Sequence, residues 1–95
     1  MTPPAHLSPA AQQAWSEITA KMGNGAVDGI EGPALEAYAV AIARQRDAQQ
    51  RIDSEGIIIA GDKGNPIPHP ALAIEKAASA EIRAWVTRYR KNARV

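Results

Sequence analysis

Three stretches of the chain repeat apolar residues at the spacing of an amphipathic helix, and this periodicity constrains the fold more than any other feature. In the first stretch, residues separated by four, three and four positions are Ala11, Trp15, Ile18 and Met22. Such residues share one helical face. Ser8 and Pro9 come just before, and they favour the N-cap and the first helical position. We therefore predict a helix over residues 9–22, followed by a loop over residues 23–29 that begins with Gly-Asn-Gly.

The second and third stretches are longer. From Glu31 to Ser54 the chain has no proline after Pro33, and it closes at Gly56, a residue type that ends helices. This predicts a helix over residues 31–54. The third stretch begins at Pro70 and predicts a helix over residues 70–91. Its apolar face consists of Ile74, Ala78, Ile82, Trp85 and Tyr89.

A short β-branched segment lies between the second and third helices. It reads Ile57-Ile58-Ile59-Ala60, and it is followed by the turn-forming residues 61–65 and by Pro66-Ile67-Pro68. This order predicts a small β-hairpin over about residues 57–67. Its return strand contains prolines, so it cannot donate hydrogen bonds to a further strand.

The apolar residues are mostly small. Alanine accounts for 20 of the 95 residues and phenylalanine is absent. Alanine favours helices but offers little area to bury, and small domains with small cores depend on disulfides, metal or self-association. The chain has no cysteine and only two histidines, His6 and His69. We therefore expect a mainly α, self-associating single domain over residues 1–95, with a short disordered N-terminus and a basic C-terminal tail.

The second helix has the least continuous apolar stripe. Polar residues interrupt it in the middle, and we interpret this as a place where the helix leaves the core of its own chain and packs against another copy. The predicted oligomer interface consists of Leu35, Tyr38, Ile42, Gln45, Gln49 and Ile52.

Positive charge is concentrated at the C-terminus. All ten acidic residues lie within residues 1–82. The cations after residue 82 are Arg83, Arg88, Arg90, Lys91 and Arg94. Such a cluster favours contact with DNA phosphates or with an acidic protein partner. Cations in a last helical turn also complement the helix dipole, so both interpretations stay open on the sequence alone.

No set of residues in the sequence is typical of an active site. The Gly61-Asp62-Lys63-Gly64 turn lacks the Gly-Lys-Ser/Thr ending of a nucleotide-binding loop. His69 has no histidine, cysteine or acid within four residues, which favours a structural role. We predict a protein that is not an enzyme and that has no metal or cofactor. The start of the chain is not a secretory signal, and no apolar run is long enough to cross a membrane, so we expect a soluble intracellular protein.

Three blocks of the sequence, in order, resemble the P27 family of phage terminase small subunits. They are Pro3-Pro4-Ala5-His6-Leu7-Ser8-Pro9, Pro33-Ala34-Leu35-Glu36-Ala37-Tyr38 and Pro68-His69-Pro70-Ala71-Leu72. The resemblance covers roughly residues 3–90. It implies a helical, non-enzymatic component of a phage or phage-derived DNA packaging motor, which forms a ring of identical chains in the cytoplasm of the bacterial host. It also implies two partners, double-stranded DNA and the large terminase subunit, which carries the ATPase and nuclease.

Relatives commonly carry a basic segment before the first block, where this sequence has Met1-Thr2. We therefore expect DNA contact to be weak or indirect, through the C-terminal cations or through the large subunit. Two alternatives remain. One is a transcriptional regulator with a helix-turn-helix made by the first two helices; the predicted loop is long for that motif, and the second helix begins with acidic residues. The other is a purely structural helical oligomer.

Overall fold

The structure is a computed structural model that describes residues 2–28 and 32–93, with side chains over residues 2–21 and 32–88. The elements, in order, are α1 (Pro9–Asp28), α2 (Gly32–Glu55), β1 (Ile58–Ala60), β2 (Pro66–Pro68) and α3 (Ala71–Ala93). The predicted mainly α fold, with three helices and a β-hairpin between the second and third, is confirmed. The boundaries of α2, the hairpin and α3 lie within two residues of the predicted ones.

α1 continues past its predicted end at residue 22 and reaches Asp28. The predicted loop is therefore wrong over residues 23–28, and its last residue, Gly29, lies outside the described residues. Glycine within a helix costs about 1 kcal/mol relative to alanine, but unlike proline it keeps its N–H and adopts helical dihedral angles. The Gly-Asn-Gly sequence thus weakens the helix without ending it.

The beginning of α1 is held by the cap that the sequence predicts. The Ala11 N–H donates to Ser8 Oγ over 3.2 Å, which satisfies one of the backbone donors that the first helical turn leaves unpaired. The Gln12 side-chain amide donates to the Leu7 carbonyl over 2.9 Å. Residues before the helix are therefore tied to its first turn.

The core between α1 and the first half of α2 is built around Trp15. Trp15 is 4% exposed, and its cluster of buried residues comprises Ala14, Trp15, Ile18, Leu35 and Ala39. Leu7, Tyr38 and Ile42 pack against the edge of this cluster. Alanines at two of the five buried positions leave Trp15 as the largest buried side chain in the cluster.

A second, smaller cluster joins the end of α2 to the beginning of α3. Its buried residues are Ala48, Ile52 and Ala71, and Leu72 packs against them. Between the two clusters, Ala41 is 2% exposed and Gln45 Nε2 donates to Ser79 Oγ on α3 over 2.8 Å. The interpretation that α2 leaves the core in its middle is therefore wrong: small residues and one hydrogen bond carry the packing there.

The hairpin follows α2 after a single left-handed residue. Gly56 has a φ of 92°, and its N–H donates to the Ile52 carbonyl over 2.7 Å, as expected for a glycine that ends a helix. β1 and β2 pair antiparallel, with Ile59 opposite Ile67.

His69 connects the hairpin to α3. The side chain is buried, 7% exposed, and Nδ1 accepts a hydrogen bond from the Ala71 N–H over 2.9 Å, which caps the helix. The His69 N–H donates to the Ile57 carbonyl over 2.7 Å. Nε2 lies 3.3 Å from Glu55 Oε1, outside hydrogen-bond geometry. The structural role predicted for His69 at this junction thus has a specific form: the ring accepts the N–H of the first residue of α3.

The chain has more surface than a compact domain of its size. Its Cα radius of gyration is 16.1 Å, whereas a compact domain of this length has a radius of about 12 Å. Its accessible surface is 6489 Å², about 1,200 Å² more than expected for a compact monomer of this mass. The elongated arrangement of the three helices therefore exposes more surface than a compact monomer of this mass.

Acid is expected to weaken the contact between α1 and α2. Arg46 Nη2 donates to Glu17 Oε2 over 2.7 Å, and this hydrogen bond holds the pKa of Glu17 below its usual value of 4.5. The unfolded chain binds this proton more readily, so the stabilisation is complete above the usual pKa and is lost as the pH falls through the lowered pKa of the folded state. The Tm difference between the unmodified chain and Glu17→Gln should be present at neutral pH and absent at about pH 2. Equal differences at both pH values, measured by circular dichroism, would contradict this.

Candidate partner-binding surface on the third helix

The C-terminal half of α3 carries the predicted cation cluster. Arg83 and Arg88 are both exposed on this helix. Arg90 and Lys91 lie further along the helical backbone, which continues to Ala93. Arg94 lies outside the described residues. Four of the five cations therefore lie on the third helix, within the range 70–91 that the sequence predicted for it.

An aromatic side chain organises the described part of this surface. Trp85 is half-buried, and its ring stacks on Tyr38 of α2 with centroids 6.5 Å apart and planes 21° apart. The guanidinium carbon of Arg88 lies 5.3 Å from the centre of the Trp85 ring. Such a cation–π contact contributes about 0.5–1 kcal/mol at an exposed position. It restricts Arg88 without neutralising its charge.

Glu81 borders this surface on the side away from the C-terminus. Trp85 Nε1 donates to Glu81 Oε1 over 3.4 Å, a long hydrogen bond. Burial raises the pKa of the Tyr38 hydroxyl, so the tyrosine stays neutral at physiological pH. The positive part of the surface is therefore the part that runs from Arg88 toward the end of the helix.

A shallow recess of about 260 Å³ lies between Glu81, Ala84, Trp85 and Arg88. Pockets for small molecules are usually about 300–1,000 Å³ and enclose most of the ligand. This recess is smaller and open, and it combines an aromatic surface with a cation. The arrangement suits contact with a macromolecule better than binding of a small substrate.

The residues predicted for the oligomer interface differ in how deeply they are buried within the chain. Leu35 and Ile52 are buried within the chain at 3% and 9% exposure, so they can support a subunit interface only by positioning their neighbours. Tyr38, Ile42 and Gln45 are half-buried, and Gln49 is exposed. The prediction of an interface on α2 therefore stays a prediction, centred on the half-buried and exposed members of the set.

The structure also contains a second surface, which the sequence did not predict. His6 Nε2 lies 3.3 Å from Glu36 Oε2, and two adjoining recesses of about 380 and 480 Å³ share His6, Leu7, Val40 and Arg44. No local pattern links His6 with a residue thirty positions away. Within residues 2–28 and 32–93, no group of three or more histidine, aspartate or glutamate side chains is arranged to hold a metal ion.

None of the helices described is both long enough and apolar enough to span a bilayer.

Comparison with known proteins identifies the family. The model of the family described as "Phage terminase, small subunit" matches residues 11–89. No curated protein and no solved structure matches the chain. The matched range extends from the first turn of α1 into the cation cluster of α3 and covers most of the sequence, so the chain belongs to the phage terminase small subunit family.

Proposed function

We propose that the chain is a non-enzymatic adaptor of a phage or phage-derived DNA packaging motor, acting in the cytoplasm of the bacterial host. The family supports a role in phage DNA packaging. In this proposal the chain assembles with copies of itself, engages double-stranded DNA directly or indirectly, and recruits or regulates the large terminase subunit. The three sequence blocks described above support a place in the P27 family.

The cation cluster of α3 is the observation that supports partner binding most strongly. Arg83 and Arg88 are exposed, neither has an acidic partner within salt-bridge distance among the residues described, and Arg88 is restricted by Trp85. By contrast, Arg46 and Arg51 on α2 each contact a carboxylate. An unpaired, partly ordered cation releases counterions when it meets a phosphate and loses little side-chain entropy.

Self-association is supported by the surface area. A stable interface buries about 800 Å² on each partner. The chain exposes about 1,200 Å² more than a compact monomer of its mass would, at 6489 Å² in total. In a closed ring each chain contacts two neighbours, so the surplus corresponds to more than one but less than two such contacts. A closed ring, with α2 at the contact, is the arrangement we propose.

The helix-turn-helix alternative gains one supporting observation. Only residues 29–31 separate α1 from α2, which is within the usual length of the turn in that motif. The second helix, however, presents Glu36 near its beginning, where its carboxylate contacts His6. A recognition helix meets bases with its N-terminal residues, so an acid there opposes DNA contact.

Native masses and the salt dependence of DNA binding together test this proposal. Native mass spectrometry of the protein alone, with DNA and with the large subunit should show an oligomer much larger than a dimer that joins at least one of the two partners. Binding to double-stranded DNA should lack sequence preference and weaken steeply with salt, with a log–log slope of about −4.5 if five phosphates are contacted. A dimer with nanomolar affinity for one short palindrome would support the regulator instead.

A further inference from the structure

The cation-bearing half of α3 is held to the rest of the chain by shallow contacts. The buried side chains of α3 are Ala71 and Ala78, both in its first half. From residue 79 to residue 88, where the description of side chains ends, none is buried. The half-buried apolar side chains in that range are Ile82, Trp85 and Val86. Trp85 is the largest of them, so it has the most surface with which to hold this half of the helix.

Three contacts join α2 and α3 along their length. Near the hairpin the two helices share a small buried cluster, and in the middle Gln45 donates to Ser79. Toward the C-terminus of α3, Tyr38 stacks on Trp85. Of these three contacts, the ring stack is the one nearest to Arg88 and to the cations that follow it.

Tyr38 is anchored on its own side of the stack. It is half-buried, and it packs against the cluster of buried residues around Trp15. Its ring centre is 6.5 Å from that of Trp85, and the two planes are 21° apart. Aromatic rings attract each other at centroid separations of about 4.5–7 Å. The tyrosine thus connects the core between α1 and α2 with the second half of α3.

Trp85 in turn positions Arg88. Its Nε1 donates to Glu81 Oε1 over 3.4 Å, one turn earlier on the same helix, so contacts with α2 and with α3 both restrict the ring. The guanidinium carbon of Arg88 lies 5.3 Å from the centre of that ring. An arginine that packs against a restricted ring loses less side-chain entropy when it binds.

We propose that Tyr38 is a positioning residue for the cation cluster. Its ring fixes Trp85, and through Trp85 it holds Arg88 and the end of α3 in the orientation that meets the partner. Tyr38 acts through another residue and does not contact the partner itself. The inference rests on the proposed function, in which α3 contacts DNA or the large subunit.

Amide hydrogen exchange tests the positioning without any partner. Tyr38→Leu keeps an apolar side chain but has no ring. In this variant the amides of residues 82–88 should exchange about twofold to tenfold faster, a range that corresponds to the loss of one stacked aromatic pair. The amides of residues 71–78, in the half of α3 that has buried side chains, should change less.

Two control variants accompany this measurement. Tyr38→Phe keeps the ring and should exchange like the unmodified chain. Ile18→Val removes one methyl group from the cluster against which Tyr38 packs, and it should not single out residues 82–88. Unchanged exchange of these residues in Tyr38→Leu, or an equal increase in all three helices, would overturn the proposal.

Partner binding distinguishes a positioning role from direct contact. Fluorescence anisotropy with labelled double-stranded DNA at several salt concentrations, and co-sedimentation with the large subunit, measure the affinity of Tyr38→Leu. We expect its affinity for the partner that the cations contact to fall by about twofold to tenfold. For DNA the factor should be the same at every salt concentration, because the number of phosphates contacted does not change. In a chain that already carries Trp85→Leu, adding Tyr38→Leu should cost no further affinity.

Three results would count against Tyr38. The first is a full further loss of affinity in the double variant. The second is normal affinity of Tyr38→Leu when replacement of the five cations by glutamine abolishes binding. The third is a smaller oligomer in native mass spectrometry with unchanged exchange of residues 82–88, which would assign Tyr38 to a subunit contact. Retention of both partners after replacement of the five cations would instead refute the binding surface in the proposed function.

Discussion

Replacing Trp15 with alanine is expected to lower the free energy of unfolding by about 3–5 kcal/mol. Trp15 is 4% exposed and is the largest side chain in the buried cluster between α1 and α2. The residues around it include alanines, which have no side chain long enough to fill the cavity. A domain of this size is stable by only about 5–14 kcal/mol. The variant should therefore lose a large part of its stability, and some of it should be unfolded at 37 °C.

Urea denaturation followed by circular dichroism measures this change. Trp15→Phe is the matched control, since it keeps an aromatic ring at the same position and should lose much less stability than the alanine variant. A second comparison uses Trp85→Ala, because Trp85 is half-buried. If Trp15→Ala costs no more than Trp85→Ala, Trp15 does not anchor the core, and the packing of α1 on α2 must depend on something else.

The helices follow from the sequence because their signals are local. Spacings of three and four residues, Ser8 at the N-cap and Gly56 at the C-terminus of α2 each act within one or two turns, so a linear sequence contains them. The end of α1 was missed because Gly-Asn-Gly is a weak signal: glycine lowers helix stability without preventing the conformation. The predicted hairpin is confirmed because its signals are also local: a β-branched run at residues 57–59, turn-forming residues 61–65, and prolines that fit an edge strand at residues 66–68.

The contacts that shape the surfaces could not be predicted in the same way. Charge asymmetry alone identified the cations of α3, and the three-residue spacing of Trp85 and Arg88 is the local signal that would have predicted their contact. The stacking of Trp85 on Tyr38 and the bond from Gln45 to Ser79 join residues on different helices. They depend on how α2 and α3 cross, which no spacing within one helix determines. Gln45, which the sequence suggested as a subunit contact, therefore donates a hydrogen bond to α3 of its own chain.

Changing the five C-terminal cations to glutamine is expected to remove most of the partner affinity of the chain. The variant replaces Arg83, Arg88, Arg90, Lys91 and Arg94 together. Glutamine has a helix propensity close to that of arginine and lysine, so the backbone of α3 should be retained while its charge is lost. If the five cations each neutralise one DNA phosphate, affinity at low salt should fall by about a hundredfold or more, and the salt dependence should become almost flat.

The control variant removes cations from other surfaces. Lys21, Lys63 and Lys76 are exposed on α1, the hairpin turn and α3, outside the C-terminal cluster and the recesses around His6. Their replacement by glutamine lowers the net charge of the chain without touching either surface. Fluorescence anisotropy with labelled double-stranded DNA and co-sedimentation with the large subunit should show the control close to the unmodified chain. A control that loses as much affinity per charge as the α3 variant would mean that net charge, and not a specific surface, attracts DNA.

The effects of the five-glutamine variant on binding of DNA and on binding of the large subunit distinguish the remaining possibilities. If the five-glutamine variant loses DNA but keeps the large subunit, α3 is the DNA contact and the motor docks elsewhere. In a second case the variant loses the large subunit, and the unmodified chain already binds DNA poorly. α3 is then the docking surface for the large subunit, and Arg88, which is held against Trp85, is positioned to contact an acidic group of that protein. Retention of both partners would assign the cations to helix-dipole compensation and solubility, and the binding surface would then have to be sought on α2 or in the recesses around His6.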